Sequence, residues 1–225
     1  MAEGRPARTQ TTIVVDVMAV AAVGAGLVLL ALELWREARS PAELAGVLAM
    51  LAAGYMAADL FTGFVHWFCD TFFDETTPII GPGLIAPFRE HHREPLLMTR
   101  HGFLELTGNC FRGLAPVLWA FLWLGSWLPL LVDAFVVSLV SGAVVTNLLH
   151  RWAHDPDPPL IARLLHATGL VLTPERHVRH HAPPYAAAYC VTSGWLNPIC
   201  ERLRIWTRAE AALVALGAPV TRDRE

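Results

Sequence analysis

LLVDAFVVSLVSGAVVTNLLHRWAH, residues 130–154, carries the contrast that decides the fold. Twenty residues hold a single charge, Asp133, and two imidazoles, His150 and His154, follow at once. An apolar run of about 20 residues is what a helix needs to cross the hydrocarbon core of a bilayer. Imidazole suits a lipid-facing surface poorly, but it is a good ligand for iron, zinc or copper. The pairing predicts a membrane span whose end is given over to metal.

Three further apolar runs lie upstream: 13–32 with Asp16 inside it, 44–69 with Asp59, and a short one at 114–127 that Leu128-Pro129 separates from the fourth. The first is longer than the core of a usual signal peptide, and Leu32-Glu33-Leu34-Trp35 offers no small-residue cleavage site, so it is expected to remain as a helix. The chain is 54% hydrophobic and 16% charged, whereas a soluble domain sits near a quarter charged. These features predict an all-α integral membrane protein with about four transmembrane helices. It forms one domain over residues 1–225, with a core at about 40–210 and an N-terminal tail at 1–12. A net charge of -3, with no basic run among aromatics, excludes nucleic-acid binding. Cys69, Cys110, Cys190 and Cys200 form no C-x-x-C pair and are expected to be reduced.

An even number of spans puts both termini on one side, and the uncharged 126–129 turn on the other. All 17 basic residues are arginine; fifteen fall on the side of the termini, and only Arg36 and Arg39 on the other. The positive-inside rule then makes both termini cytoplasmic, in a membrane of bacterial inner or endoplasmic-reticulum type. Nine of the ten histidines land on that same face, in four groups: His66; His91, His92 and His101; His150 and His154; His177, His180 and His181. Only His166 stands apart, on a short surface helix expected at 159–169. Residues 76–88 read as an irregular interfacial piece, and 195–216 as a helix lying on the membrane surface.

Spacing adds chemistry. Asn147, His150 and His154 share one helical face. Asp70 follows His66 by one turn, so its carboxylate is placed to accept the second ring N–H of a ligating imidazole, with Asn147 in a similar supporting role. The His177-x-x-His180-His181 and His91-His92 elements present several nitrogens from single turns. One tetrahedral zinc takes at most four protein ligands, so this many imidazoles imply two ions or several supporting rings that do not touch metal. Helix-bundle di-iron sites use Glu-x-x-His, which Glu90, Glu94 and Glu105 do not supply. Asp59, two turns before His66, is either a functional intramembrane carboxylate or a structural partner for another span.

At Gly63-Phe64-Val65-His66-Trp67 with Asp70-Thr71, Phe88-Arg89-Glu90-His91-His92, Thr99-Arg100-His101, Asn147 with His150 and His154, His177, His180 with His181, and Gly194-Trp195-Leu196-Asn197, the chain resembles the Kua/CarF lipid desaturase family. The likeness runs from about residue 55 to 210, with a departure at Glu94, where the family pattern has aspartate. The resemblance implies an oxidoreductase with two iron ions held by these histidines. O2 would be the oxidant, an electron-donor protein such as cytochrome b5 or ferredoxin the partner, and a phospholipid the substrate. Its headgroup would lie near Arg89, Arg93 or Arg100, arginines that ordinary positive-inside bias explains equally well. The reaction implied first turns the 1-O-alkyl chain of plasmanylethanolamine into the vinyl ether of a plasmalogen. The alternatives are desaturation of an acyl chain of phosphatidylglycerol, a zinc hydrolase or hydroxylase, and a membrane metal- or haem-binding protein without catalysis.

Overall fold

Thr9 and Ser40 set where the first helices begin. In the computed structural model, which describes residues 8–125 and 129–222, the Thr9 hydroxyl accepts from the Thr12 N–H to start α1 (Gln10–Glu37). Ser40 and Glu43 form a reciprocal capping box that starts α2 (Pro41–Thr71). Then come α3 (Ala86–Arg93), α4 (Phe103–Gly125), α5 (Leu130–His154), α6 (Leu160–Thr168), α7 (Pro174–His177), α8 (Asn197–Arg202) and α9 (Ile205–Ala215). The fold is all-helical; among the described residues the sole β pairing is an isolated bridge between Phe72 and Val220.

Helices α1, α2 and α5 are long and apolar enough to cross a membrane. Val14, Met18, Leu29, Leu48 and Phe64 point outward and stay exposed, which a soluble fold avoids and a lipid-facing one requires. Helix α5 is the hub, packing against α1, α2 and α4. Its seam with α2 is built from small residues. A Cβ at Gly142 would lie 2.7 Å from the Ala58 methyl, and one at Gly54 would overlap the Phe135 carbonyl oxygen. Close approach of backbones is how helices gain contact where lipid offers no hydrophobic drive. Val23 and Leu30 of α1, Leu118 of α4 and Val140 of α5 form the apolar core on the other side of the hub.

Four expectations change. Helix α4 begins at Phe103, well before residue 114. The polar start hid it: Arg112 ion-pairs with Asp16 of α1, beside Arg8, and also bonds Asn109, so the charges of two apolar helices cancel each other. Much of 76–88 is helical, because a π-helical turn at Gly81–Ile85 runs straight into α3, and Pro82 and Pro87 occupy first-turn positions that need no N–H. The surface helix at 195–216 is two helices, α8 and α9, broken where Arg204 adopts a left-handed φ of 51°. That break lets Trp206 pack with Trp67, Phe72 and Tyr189. The tail at 1–12 gives way to helix at Gln10; residues 1–7 and the 126–128 part of the expected turn lie outside the described residues. The short helix at 159–169 is α6, ended by Gly169 in a left-handed conformation.

Candidate metal centre

Four elements deliver imidazoles to one place. His66 lies near the end of α2, His91 and His92 on α3, His150 and His154 on the last turns of α5, and His177, His180 and His181 on α7 and the turn after it. They fall into two groups: His91, His150, His154, His177 and His181; and His66, His91, His92 and His180. In each, one ligand atom per residue lies within 4.8 Å of all the others. His91 belongs to both.

The contacts inside the groups are not ordinary hydrogen bonds. The Nε2 of His177 lies 2.8 Å from that of His150, 2.8 Å from that of His154 and 3.0 Å from that of His181. A ring nitrogen has one N–H or one lone pair, so hydrogen bonding satisfies at most one of these contacts. Nitrogens about 2.1 Å from a common ion and at right angles to each other would lie about 3 Å apart. In the second group the Nε2 atoms of His92 and His180 stand 2.8 Å apart. The Nε2 atoms of His66 and His91 are buried with no hydrogen-bond partner, a costly state for a polar atom unless a cation takes the lone pair. The donor set of each group therefore fits a metal ion.

Burial also sets the protonation state. It holds His91 and His177 well below the ordinary imidazole value, and pushes His92 down to about 2, His180 to about 3 and His181 to about 4. A neutral ring is the form that binds metal. His180 is also aimed: its Nδ1 donates to the Ala187 carbonyl at 2.8 Å, which leaves the Nε2 lone pair facing the group. Tyr185 stacks on His92 at a centroid distance of 4.8 Å, and Tyr189 packs edge-on against His180 at 5.2 Å. Sequence reasoning gave neither tyrosine a role in the site, though Tyr189 is only nine residues past His180.

Other candidates sit differently from their spacing. Asp70 does not stand behind His66: its Oδ2 faces the Nε2 atoms of His66, His180 and His92 at 3.3, 3.5 and 3.6 Å, on the side where the nitrogens converge. His101 joins neither group; its Nε2 lies 3.7 Å from Glu105. Asn147 turns toward α4, donating to the Leu106 carbonyl and to Cys110, and orients no histidine. Asp59 is structural: its carboxylate accepts from the N–H groups of Thr192, Ser193, Gly194 and Leu196, fixing the loop after the last histidines. Arg89 is buried and spent on the Cys69, Phe73 and Thr221 carbonyls, which corrects its reading as a headgroup ligand. Arg93 pairs with Glu75 at 2.5 Å. Arg100 borders a shallow hollow with Glu94 and Leu97. His166 stays apart on α6.

Beside His91 and His150 opens an apolar cavity of about 590 Å³ that runs between α4 and α5.

A family model described as a lipid desaturase domain matches residues 55–223. The chain is 38% identical to "Plasmanylethanolamine desaturase" of Myxococcus xanthus over 71% of this chain and 61% of that protein. It is 34% identical to "Plasmanylethanolamine desaturase 1" of Mus musculus over 84% of this chain and 70% of that one. It is 32% identical to "Fatty acid desaturase 4, chloroplastic" of Arabidopsis thaliana over 70% of this chain and 49% of the relative. The chain thus spans about three-fifths of the bacterial relative's length. No solved structure matches.

Proposed function

The chain belongs to the lipid desaturase family, and we propose that it dehydrogenates the 1-O-alkyl chain of an ether phospholipid such as plasmanylethanolamine, giving a vinyl ether. The observation that carries this reading is the convergence of eight histidines into two groups joined at His91. His91, His150, His154, His177 and His181 would hold one iron ion. His66, His92 and His180, with Asp70 facing them, would hold the other; His91 stands between the groups, and its one unpartnered nitrogen, Nε2, can serve a single ion. When bound, the two ions supply the reduction of O2 to two waters, with two electrons from the substrate C–H bonds and two from an external donor of cytochrome b5 or ferredoxin type. The chain's own contribution is placement. Buried neutral rings keep protons off the ligand nitrogens, the Asp59-held loop fixes the segment after His181, and the apolar cavity excludes water from the reacting carbons.

In this reading the whole chain is one membrane domain with four spans, α4 being the fourth, and the histidines and both termini face the cytoplasm. Arginine asymmetry supports that orientation. Trp35 and Trp123, 80% and 82% exposed near the far ends of α1 and α4, sit where an aromatic belt would lie, which supports α1 and α4 as spans. Of the three candidate arginines, Arg100 is the one we place at the lipid headgroup, since Arg89 and Arg93 are engaged elsewhere.

An ether substrate is favoured over an acyl one by the higher identities to the two plasmanylethanolamine desaturases. The test is expression in a host that makes alkyl-ether phosphatidylethanolamine but no plasmalogen. Lipids that release a fatty aldehyde in mild acid are expected. A new acid-stable acyl double bond instead transfers the reading to the acyl alternative. Neither product, from iron-loaded protein with reductant supplied, ends the desaturase reading.

A further inference from the structure

We propose that the cavity beside the histidines is a chain-length-selective tunnel for one extended alkyl chain of a membrane lipid, held open midway by Gly113 and closed below by Phe121. The proposal rests on the lipid desaturase reading and deepens it by assigning the residues that choose the chain.

The lining shows the shape. On α5, Val136, Val140, Ala143, Asn147 and His150 recur every three or four residues and so form one continuous face of the cavity. At 1.5 Å per residue, His150 to Val136 spans about 21 Å. On α4, Glu105 to Phe121 spans about 24 Å by the same rise. An extended alkyl chain advances about 1.3 Å per carbon, the projection of a C–C bond of about 1.5 Å, so the tunnel takes a chain of about 16 to 18 carbons. Its 590 Å³ lies inside the range of about 300–1,000 Å³ typical of sites that enclose a small molecule.

The two ends differ. The upper end meets His91 and His150, with Glu105 and Asn109 as the polar groups nearby on α4. The lower end meets the α1 core: Leu118 and Val140 are buried in the cluster that contains Val23 and Leu30, and Phe121 and Val136 pack on it. A chain lying there has its headgroup end at the histidines and its methyl end against Phe121. The side is open. Helices α2 and α4 both pack on α5 but barely touch each other, and exposed Phe61 and Val117 flank the gap between them. A lipid chain can enter sideways from the bilayer without leaving it.

Among the residues that line the cavity, Gly113 is the one whose presence packing does not explain. Glycine in a helix interior is destabilising relative to alanine, and a Cβ here would meet nothing within 4 Å. It lines the cavity and is itself exposed, on the same α4 face as Asn109, Val117 and Phe121. It lies about 12 Å below Glu105, or about nine carbons down an extended chain. A larger side chain at 113 therefore enters the tunnel rather than the core.

The test uses the full chain, iron-loaded in detergent, as wild type, Gly113→Leu and Phe121→Ala. Binding and turnover are measured with radiolabelled 1-O-octyl, 1-O-hexadecyl and 1-O-eicosyl phospholipids. Gly113→Leu is expected to weaken hexadecyl binding about tenfold or more, as lost methylene contacts in an apolar pocket do, with octyl affected least and iron content unchanged. Phe121→Ala is expected to shift preference from hexadecyl toward eicosyl. Wild-type chain-length profiles in both variants overturn the tunnel, even where dehydrogenation is intact. Shifted binding profiles without any dehydrogenation leave the tunnel standing and overturn the desaturase reading. Should Gly113→Leu not fold, Phe121→Ala alone decides, because it only removes bulk at the floor.

Discussion

The two histidine groups meet at one ring but are built from different chemistry. The group on α3, α5, α7 and the turn after it gathers five imidazoles, with no carboxylate in the cluster among the described residues. The group at the end of α2 gathers His66, His91, His92 and His180 around Asp70, whose Oδ2 comes as near as 3.3 Å to a ligand nitrogen. A bound cation is the largest local charge in its site. Neutral rings leave that charge uncompensated, whereas Asp70 offsets one unit of it. The groups should therefore hold iron unequally and fail separately, except at His91.

His91 gives the largest effect. His91→Ala is expected to abolish turnover, to remove the iron of one group and, because the ring packs against His66, His92, His150 and His181, to lower that of the other as well, measured as metal per chain in purified protein. Loss of no more than half the iron would show that the ring supports one ion only. Next come substitutions confined to one group. His154→Ala and His66→Ala should each abolish activity while losing about half of the iron, since each group keeps the ligands it shares with neither variant. Equal and complete loss in both would mean that the groups fill cooperatively and are not separable.

Asp70→Asn addresses the asymmetry directly. The amide keeps the shape and removes the charge, so iron in the α2 group should be released more readily to a chelator. Loss of a partner to a ligating imidazole commonly costs about 10–100-fold in metal affinity or activity, and a carboxylate on the ion-facing side should reach the upper end of that range. Faster chelator release from wild type is expected at the all-imidazole group. If Asp70→Asn and wild type release iron in identical steps, the carboxylate contributes nothing to the difference.

The same contrast explains what the sequence made legible. Apolar length followed by histidine announced the ends of α2 and α5, because span length and ligand type are both local properties of the chain. The role of Asp70 was not local. Four-residue spacing puts it beside His66, but the rings it faces on α3 and after α7 are set by tertiary packing. Helix α4 was hidden for a related reason. Its first turns carry Arg112 and Asn109, and only the ion pair to Asp16 on α1 makes them compatible with an apolar bundle. Arg89 likewise looked available until the C-terminal segment around Thr221 closed over it. Asp59 read equally well as chemistry or as scaffold, and the four N–H groups it accepts decide for scaffold.

The smallest effects test whether the comparison has been drawn at the right boundary. His101 is the tenth-residue follower of His91 and shares its face of the molecule, yet its Nε2 stands 3.7 Å from Glu105 and in neither group. It lines the upper end of the cavity, and its carbonyl accepts from Arg151 on α5 at 3.0 Å. His101→Ala removes the ring but not that carbonyl, so α5 keeps its backbone tie. Iron content should stay at the wild-type level, while turnover falls by a few-fold at most, since the 3.7 Å approach of the ring to Glu105 is too long for a hydrogen bond. His166→Ala, on α6 and remote from both groups, should change neither quantity. The informative result is iron loss in His101→Ala with His166→Ala unaffected: it would add a ring to the five-imidazole group and widen the charge contrast with the Asp70 side.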